Sequence, residues 1–235
     1  MTQAPISPDN ADIDFATLFA VNIHEIKNLL FQLFNTVEAA GNEPWAQENP
    51  AAQLSLSRIK YGSSQISQRL AHLLALYRIA QGRYELDIDY HDAGELLREI
   101  QLETHSLIDE HGIEISLEAG EGPYGFFDRE MVRGILINGV HNALHYAKGK
   151  IRLSASEEDG YLCFRVEDDS AGYPPEILAS GGAHAKLDLG GGGTGLGLYF
   201  SATVAALHRN HDKTGFTRLA NGGFYGGAVF SLYLP

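Results

Sequence analysis

Apolar residues recur at helical steps through Phe15, Phe19, Ile26, Leu29, Leu30, Leu33 and Val37, a spacing that a helix gathers onto one face. A second run follows the breaker-rich stretch from Gly41 to Pro50. Leu56, Ile59, Ile66, Leu70, Leu73 and Tyr77 make a heptad-like seam, the pattern that pairs helices in a bundle. Two helices alone give a thin core, so the pattern predicts a hairpin completed as a four-helix bundle in a homodimer. Gln81-Gly82 ends the second helix, and behind it the periodicity changes.

From there strands and helices mix. Tyr84–Tyr90 and Gly112–Leu117 read as strands, Ala93–Glu110 as an amphipathic helix. Asp128–Ala147 reads as a helix with Asp128 as its N-cap. Lys150–Ser156 and Tyr161–Asp168 alternate around Glu-Glu-Asp-Gly as a hairpin does. A helix over Thr194–Leu207 and a strand over Ala228–Leu234 complete the chain. The fold class is therefore α+β: an N-terminal helical hairpin followed by an α/β sandwich, not a doubly wound parallel sheet. The expected division is a disordered polar segment at 1–12, a helical hairpin at 13–82 and an α/β domain at 83–235.

Composition narrows the function. A net charge of -13 argues against nucleic acid as the main partner, since phosphate backbones select basic patches. The lone cysteine, Cys163, allows no internal disulfide and fits a reducing compartment. No apolar run approaches the roughly 20 residues of a membrane span. A cytoplasmic protein without a transmembrane sensor is expected.

Four clusters carry chemistry. On the first helix His24 falls nearly opposite the apolar stripe, with Glu25 beside it and Asn28 one turn on; imidazole is suited to accept a phosphoryl group. Asn138 and Asn142 share a helix face, with His145 and Tyr146 next along it, and side-chain amides so spaced suit a hydrated Mg²⁺ and its phosphates. Asp168 continues the register of Leu162, Phe164 and Val166, which aims its carboxylate at the buried face, a costly placement unless it is paired. Gly190 to Gly197 opens a helix, where backbone N–H groups and the helix dipole favour phosphate.

His24-Glu25-Ile26-Lys27-Asn28-Leu29 resembles the phosphoacceptor box of bacterial sensor histidine kinases, H-E-I-K-N-P-L, with Leu29 where proline is common. The stretch from Asn138 to Tyr146 resembles the N box of the GHKL ATPase/kinase superfamily. Asp168 to Gly172 is similar to its D-x-G-x-G box, with Ser170 in place of the first glycine. Gly193-Thr194-Gly195-Leu196-Gly197 is similar to its second glycine box. The resemblance implies ATP and Mg²⁺ as cofactors, with the metal at Asn142 and the adenine amino group at Asp168. Asn138, His145, Tyr146, Gly172 and the second glycine box would complete the nucleotide site. It further implies phosphorylation of His24 and transfer to the receiver domain of a response regulator. The spacing of Glu25 and Asn28 resembles the E-x-x-N phosphatase signature of bifunctional members. Asn138 stands where hydrolytic members carry a glutamate general base, which favours transfer over hydrolysis. Ser170, strained if that position needs positive φ, and the short span from Pro174 to Gly190 leave an alternative: a phosphorelay adaptor whose C-terminal domain no longer binds ATP.

Overall fold

The computed structural model describes residues 15–118, 123–179 and 195–235, in two compact units, Met1–Leu74 and Ala75–Pro235. The N-terminal segment expected to be disordered lies outside the described residues.

In the first unit, helix α1 spans Phe15–Gly41, α2 is a single turn at Pro44–Gln47, and α3 starts at Pro50 and runs to Ala80. Asn49 caps α3, its Oδ1 accepting the N–H of Ala51 and Ala52 at 3.1 and 3.2 Å, with proline at the first helical position. Gln53 donates to the carbonyl of Gly41 at 2.9 Å, closing the C-terminal end of α1 against α3. Lys60 adds an ion pair to Glu38 at 3.2 Å and lies over the Phe34 ring. The expected loop thus contains a helical turn, built around the fully buried Ala46.

The apolar residues of α1 divide in two, and the buried set includes Ile23, which lies outside the expected stripe. Ile23 and Val37 are buried, whereas Ile26, Leu29 and Leu33 stay exposed. On α3 the exposed apolar residues Ile59, Ile66 and Leu73 follow one another at seven-residue steps.

The second unit comprises β1 Ile88–Asp92, α4 Ala93–His111, β2 Glu114–Glu118, β3 Tyr124–Asp128, α5 Arg129–Tyr146, β4 Lys150–Glu158 and β5 Tyr161–Asp168. After these come α6 Pro175–Ala179, α7 Leu196–Leu207, β6 Arg209–Asn210, β7 Lys213–Thr214, β8 Phe216–Asn221 and β9 Ala228–Leu234. The main sheet has the order β2-β4-β5-β9-β8. Only β2 and β4 pair in parallel; every other neighbour is antiparallel. The sheet is mixed, and the sandwich expected from the sequence is present.

Alternation builds its core. Ile151 and Leu153 on β4, Phe164 and Val166 on β5, and Phe230 and Leu232 on β9 join Leu96, Leu97, Val132, Ile135, Leu136, Phe200 and Val204 from α4, α5 and α7. Each such side chain contributes about 1.5–3 kcal/mol by leaving water. The opposite face is polar and cross-linked: Arg152 pairs with Glu167 at 3.0 Å and with Glu118, and Arg165 pairs with Glu158 at 2.5 Å. Cys163 lies on this face of the central strand β5, fully buried, with its thiol pushed up to about 11 by burial.

The β4–β5 turn is two residues long, with positive φ at Asp159 (52°) and Gly160 (73°), the twist that tight hairpins require. Strand β1 begins four residues later than expected, because the segment before it is tied elsewhere: Asp87 N–H donates to Asp128 Oδ2 at 3.0 Å. β3 and β8 were not expected from the sequence. Among the described residues no helix is long and apolar enough to cross a membrane.

Candidate functional site

Helix α5 carries the first part of the site. Asp128 caps it, Oδ1 accepting from Met131 N–H at 3.0 Å. Val132, Ile135, Leu136, Val140, Ala143 and Leu144 bury one face, and Gly139 lets the helix approach Val166 and Phe230. This packing turns Asn142, His145 and Tyr146 to the exposed face, while Asn138 is half-buried. The rings of His145 and Tyr146 meet edge-on at 4.7 Å. His141 points inward, and burial lowers its imidazole to about 4.

Asn138 meets the start of α7. A Cβ on Gly197 would lie 2.3 Å from Asn138 Oδ1 and 2.5 Å from Nδ2, so only glycine leaves room for this amide. Nδ2 of Asn138 is a buried donor with no partner among the described residues. Gly195, at φ 62°, is the N-cap of α7 and Leu196 its first residue. The structure therefore brings Asn138 and Gly197 together; Gly193 and Thr194 lie outside the described residues.

The end of β5 supplies a buried carboxylate. Asp168 Oδ1 accepts the N–H of Ser170 at 2.8 Å and of Ala228 at 3.0 Å. Gly227 permits the close approach of β9, since a Cβ there would lie 2.4 Å from the Asp168 carbonyl. Ser170 does not take positive φ; the left-handed residue is Gly172, at 87°. The serine costs no backbone strain, and its hydroxyl accepts the N–H of Gly172 at 3.0 Å. Asp169 accepts from Lys148 and Gly149. Burial raises its carboxyl, but these amides outweigh burial and hold it below the usual range.

Sequence reasoning missed Asn221. It closes β8 and bonds the backbone of Tyr173 at both ends; its one signal was the Asn-Gly-Gly turn at 221–223. In the first unit His24, Glu25 and Asn28 are all exposed on α1.

Residues 127–235 match the family of histidine kinase-, DNA gyrase B- and HSP90-like ATPases. The match spans a little under half of the chain. Across 194 residues the chain is 24% identical to the signal transduction histidine-protein kinase AfsQ2 of Streptomyces coelicolor, which covers 79% of this chain and 33% of that protein. It thus spans about a third of the length of this curated relative. Among solved structures, full-length ShkA in complex with AMPPNP matches at a TM-score of 0.65 and 22% identity, over 94% of this chain and 46% of that one. The Acinetobacter baumannii histidine kinase AdeS matches at 0.58 and 16%, over 91% and 96%. The catalytic domain of the histidine kinase ThkA matches at 0.55 and 22%, over 64% and 98%. At these identities the likeness to solved structures is one of fold. Asp168, Asn138, Asn142 and Gly197 all lie within the matched residues.

Proposed function

We propose that this chain is the core of an ATP-dependent protein-histidine kinase. The observation that carries the reading is the state of Asp168: a buried carboxylate at the end of β5, with one oxygen fixed by two backbone amides. A carboxylate so placed recognises an amino group such as that of adenine. The other residues fit the same ligand. Asn138 offers a buried donor that has no partner among the described residues, and the exposed Asn142 amide suits a hydrated cation. When bound there, Mg²⁺ offsets the negative charge of the transferring phosphoryl group. His145, Tyr146, Gly172 and the glycines from Gly193 to Gly197 complete the nucleotide site in this reading.

The phosphoryl acceptor is His24. One ring nitrogen attacks the γ-phosphorus, the bond to ADP breaks, and Glu25 orients the ring or takes its proton. The phosphoryl group then passes to an aspartate on a response-regulator receiver domain. Residues 13–82 act as the dimerisation and phosphotransfer hairpin, residues 83–235 as the catalytic domain. The exposed apolar residues Ile26, Leu29 and Leu33 on α1 and Ile59, Ile66 and Leu73 on α3 support a second copy completing the bundle. The reading is of a cytoplasmic enzyme.

Incubation with γ-labelled ATP and Mg²⁺ tests the proposal. Acid-labile label on wild type and none on His24→Ala is expected. A wild type that takes no label from ATP but accepts it from a phosphorylated regulator would make the chain an adaptor instead.

A further inference from the structure

One side chain fastens the turn after β5 to the edge of the sheet. Oδ1 of Asn221 accepts the Tyr173 N–H at 2.7 Å, and its Nδ2 donates to the Tyr173 carbonyl at 3.0 Å. Both halves of the amide are used on one residue, as a neighbouring strand would use them. Gly172 makes this contact possible: a Cβ there would lie 2.6 Å from Asn221 Cγ and Oδ1, and its φ is 87°. A side chain at 172 would both strain the backbone and displace the amide.

The start of β9 and the loop that leads into it grip the end of β5 twice more. Ala228 N–H donates to Asp168 Oδ1, and Phe224 N–H to Glu167 Oε1, each at 3.0 Å. Tyr173 lies within the electrostatic reach of Asp168: burial first, and then the aspartate's charge, push its phenol well above the ordinary range. The Tyr173 backbone cannot drift without moving the group beside Asp168.

We infer that Asn221 is a positioning residue for nucleotide binding, pinning the Gly172–Tyr173 turn beside Asp168 so that the base meets a preformed wall. The inference rests on the reading of Asp168 as the adenine contact. Asn221 does not itself touch the base. A turn without this clamp has to be ordered each time nucleotide binds, and that cost appears in affinity. The transfer step, once the site is filled, does not use the clamp.

The test uses the full chain as wild type, Asn221→Ala and Asn221→Asp. ATP·Mg²⁺ affinity is measured by displacement of a fluorescent ATP analogue, and autophosphorylation is followed over a range of ATP concentrations. Asn221→Ala should weaken ATP binding and raise KM about tenfold, with the rate at saturating ATP within about twofold of wild type. A folded Asn221→Ala with wild-type affinity overturns the role, and so does a lower saturating rate at unchanged KM. If Asn221→Ala does not fold, Asn221→Asp carries the comparison, because it keeps the acceptor for Tyr173 N–H and sets an oxygen against the carbonyl. A wild type that binds no nucleotide overturns the reading of Asp168 together with this inference. A wild type that binds, beside variants that bind equally well, overturns the inference alone.

Discussion

The backbone N–H of Asp128 donates to Nε2 of His208 across 3.1 Å, and Nδ1 of the same ring faces the Val204 carbonyl at 3.0 Å. One nitrogen accepts and the other donates, which only neutral imidazole can do. The ring thereby joins the N-cap of α5 to the last turn of α7.

This junction makes stability depend on pH. Burial lowers the His208 imidazole, against the smaller opposing effects of the Val204 carbonyl and the Asp128 carboxylate, and burial lowers His141 to about 4. In the unfolded chain both titrate near 6.5. Below that pH the unfolded state binds more protons, so stability is full above about 6.5 and is lost as pH falls toward the folded-state values. Melting temperature should drop between pH 7 and pH 5, above the range where the carboxylates Glu158 and Asp169, both lowered, begin to contribute. A flat profile across that window would refute the assignment of neutral imidazoles.

Asp168 separates folding from binding. Asp168→Asn keeps an oxygen for the N–H groups of Ser170 and Ala228 and should melt within a few degrees of wild type. It should nevertheless reduce the ATP-induced rise in melting temperature. Asp168→Ala strands two buried donors and should lose about 1–3 kcal/mol for each. Denaturant melts with and without ATP·Mg²⁺ distinguish the two; equal ATP shifts in wild type and Asp168→Asn would remove Asp168 from the site.

Gly197→Ala drives a methyl into the Asn138 amide and should cost about 1–3 kcal/mol. Adding Asn138→Ala should recover part of that loss, because the colliding group is gone. A double-mutant cycle by urea unfolding reads the coupling; strict additivity would show that the two residues do not share the space.

Light scattering at micromolar concentration should give twice the chain mass. Ile66→Asp, placing a charge in the exposed seam of α3, should shift the chain to monomer. A monomeric wild type would rule out the bundle.

Asn28→Ala should leave labelling of His24 intact yet slow decay of the phosphorylated regulator, since an amide can place a water without taking its proton. Equal decay with wild type and variant, both faster than the regulator alone, would remove Asn28 from that role.

What the sequence made legible follows from periodicity. β5 and β9 fall where alternation puts them, Tyr161–Asp168 and Ala228–Leu234, because both are central strands with long apolar faces. β3 escaped, since Gly125 interrupts it; the glycine is there because a Cβ would lie 2.7 Å from Leu162 Cδ2. β8 is an edge strand of mixed residues, with little core pattern to read. Within the candidate site, Asp168 was legible as a carboxylate in buried register. Asn221 was not, because its partner is a backbone 48 residues away and no local spacing encodes that. The buried line of α1 runs through Ile23 and not Ile26, since a helix with two apolar faces does not reveal from its own sequence which one α3 takes.

Cys163 gives the protein a built-in reporter. It is the one thiol in the chain, fully buried on the central strand, and burial keeps it in the unreactive protonated form. A thiol-modifying reagent therefore reacts only with molecules whose main sheet has opened. Pulsed alkylation followed by intact mass reads the fraction of opened sheet directly, without an engineered label. Each modified chain records one opening event of the second unit, whatever the first unit is doing at that moment.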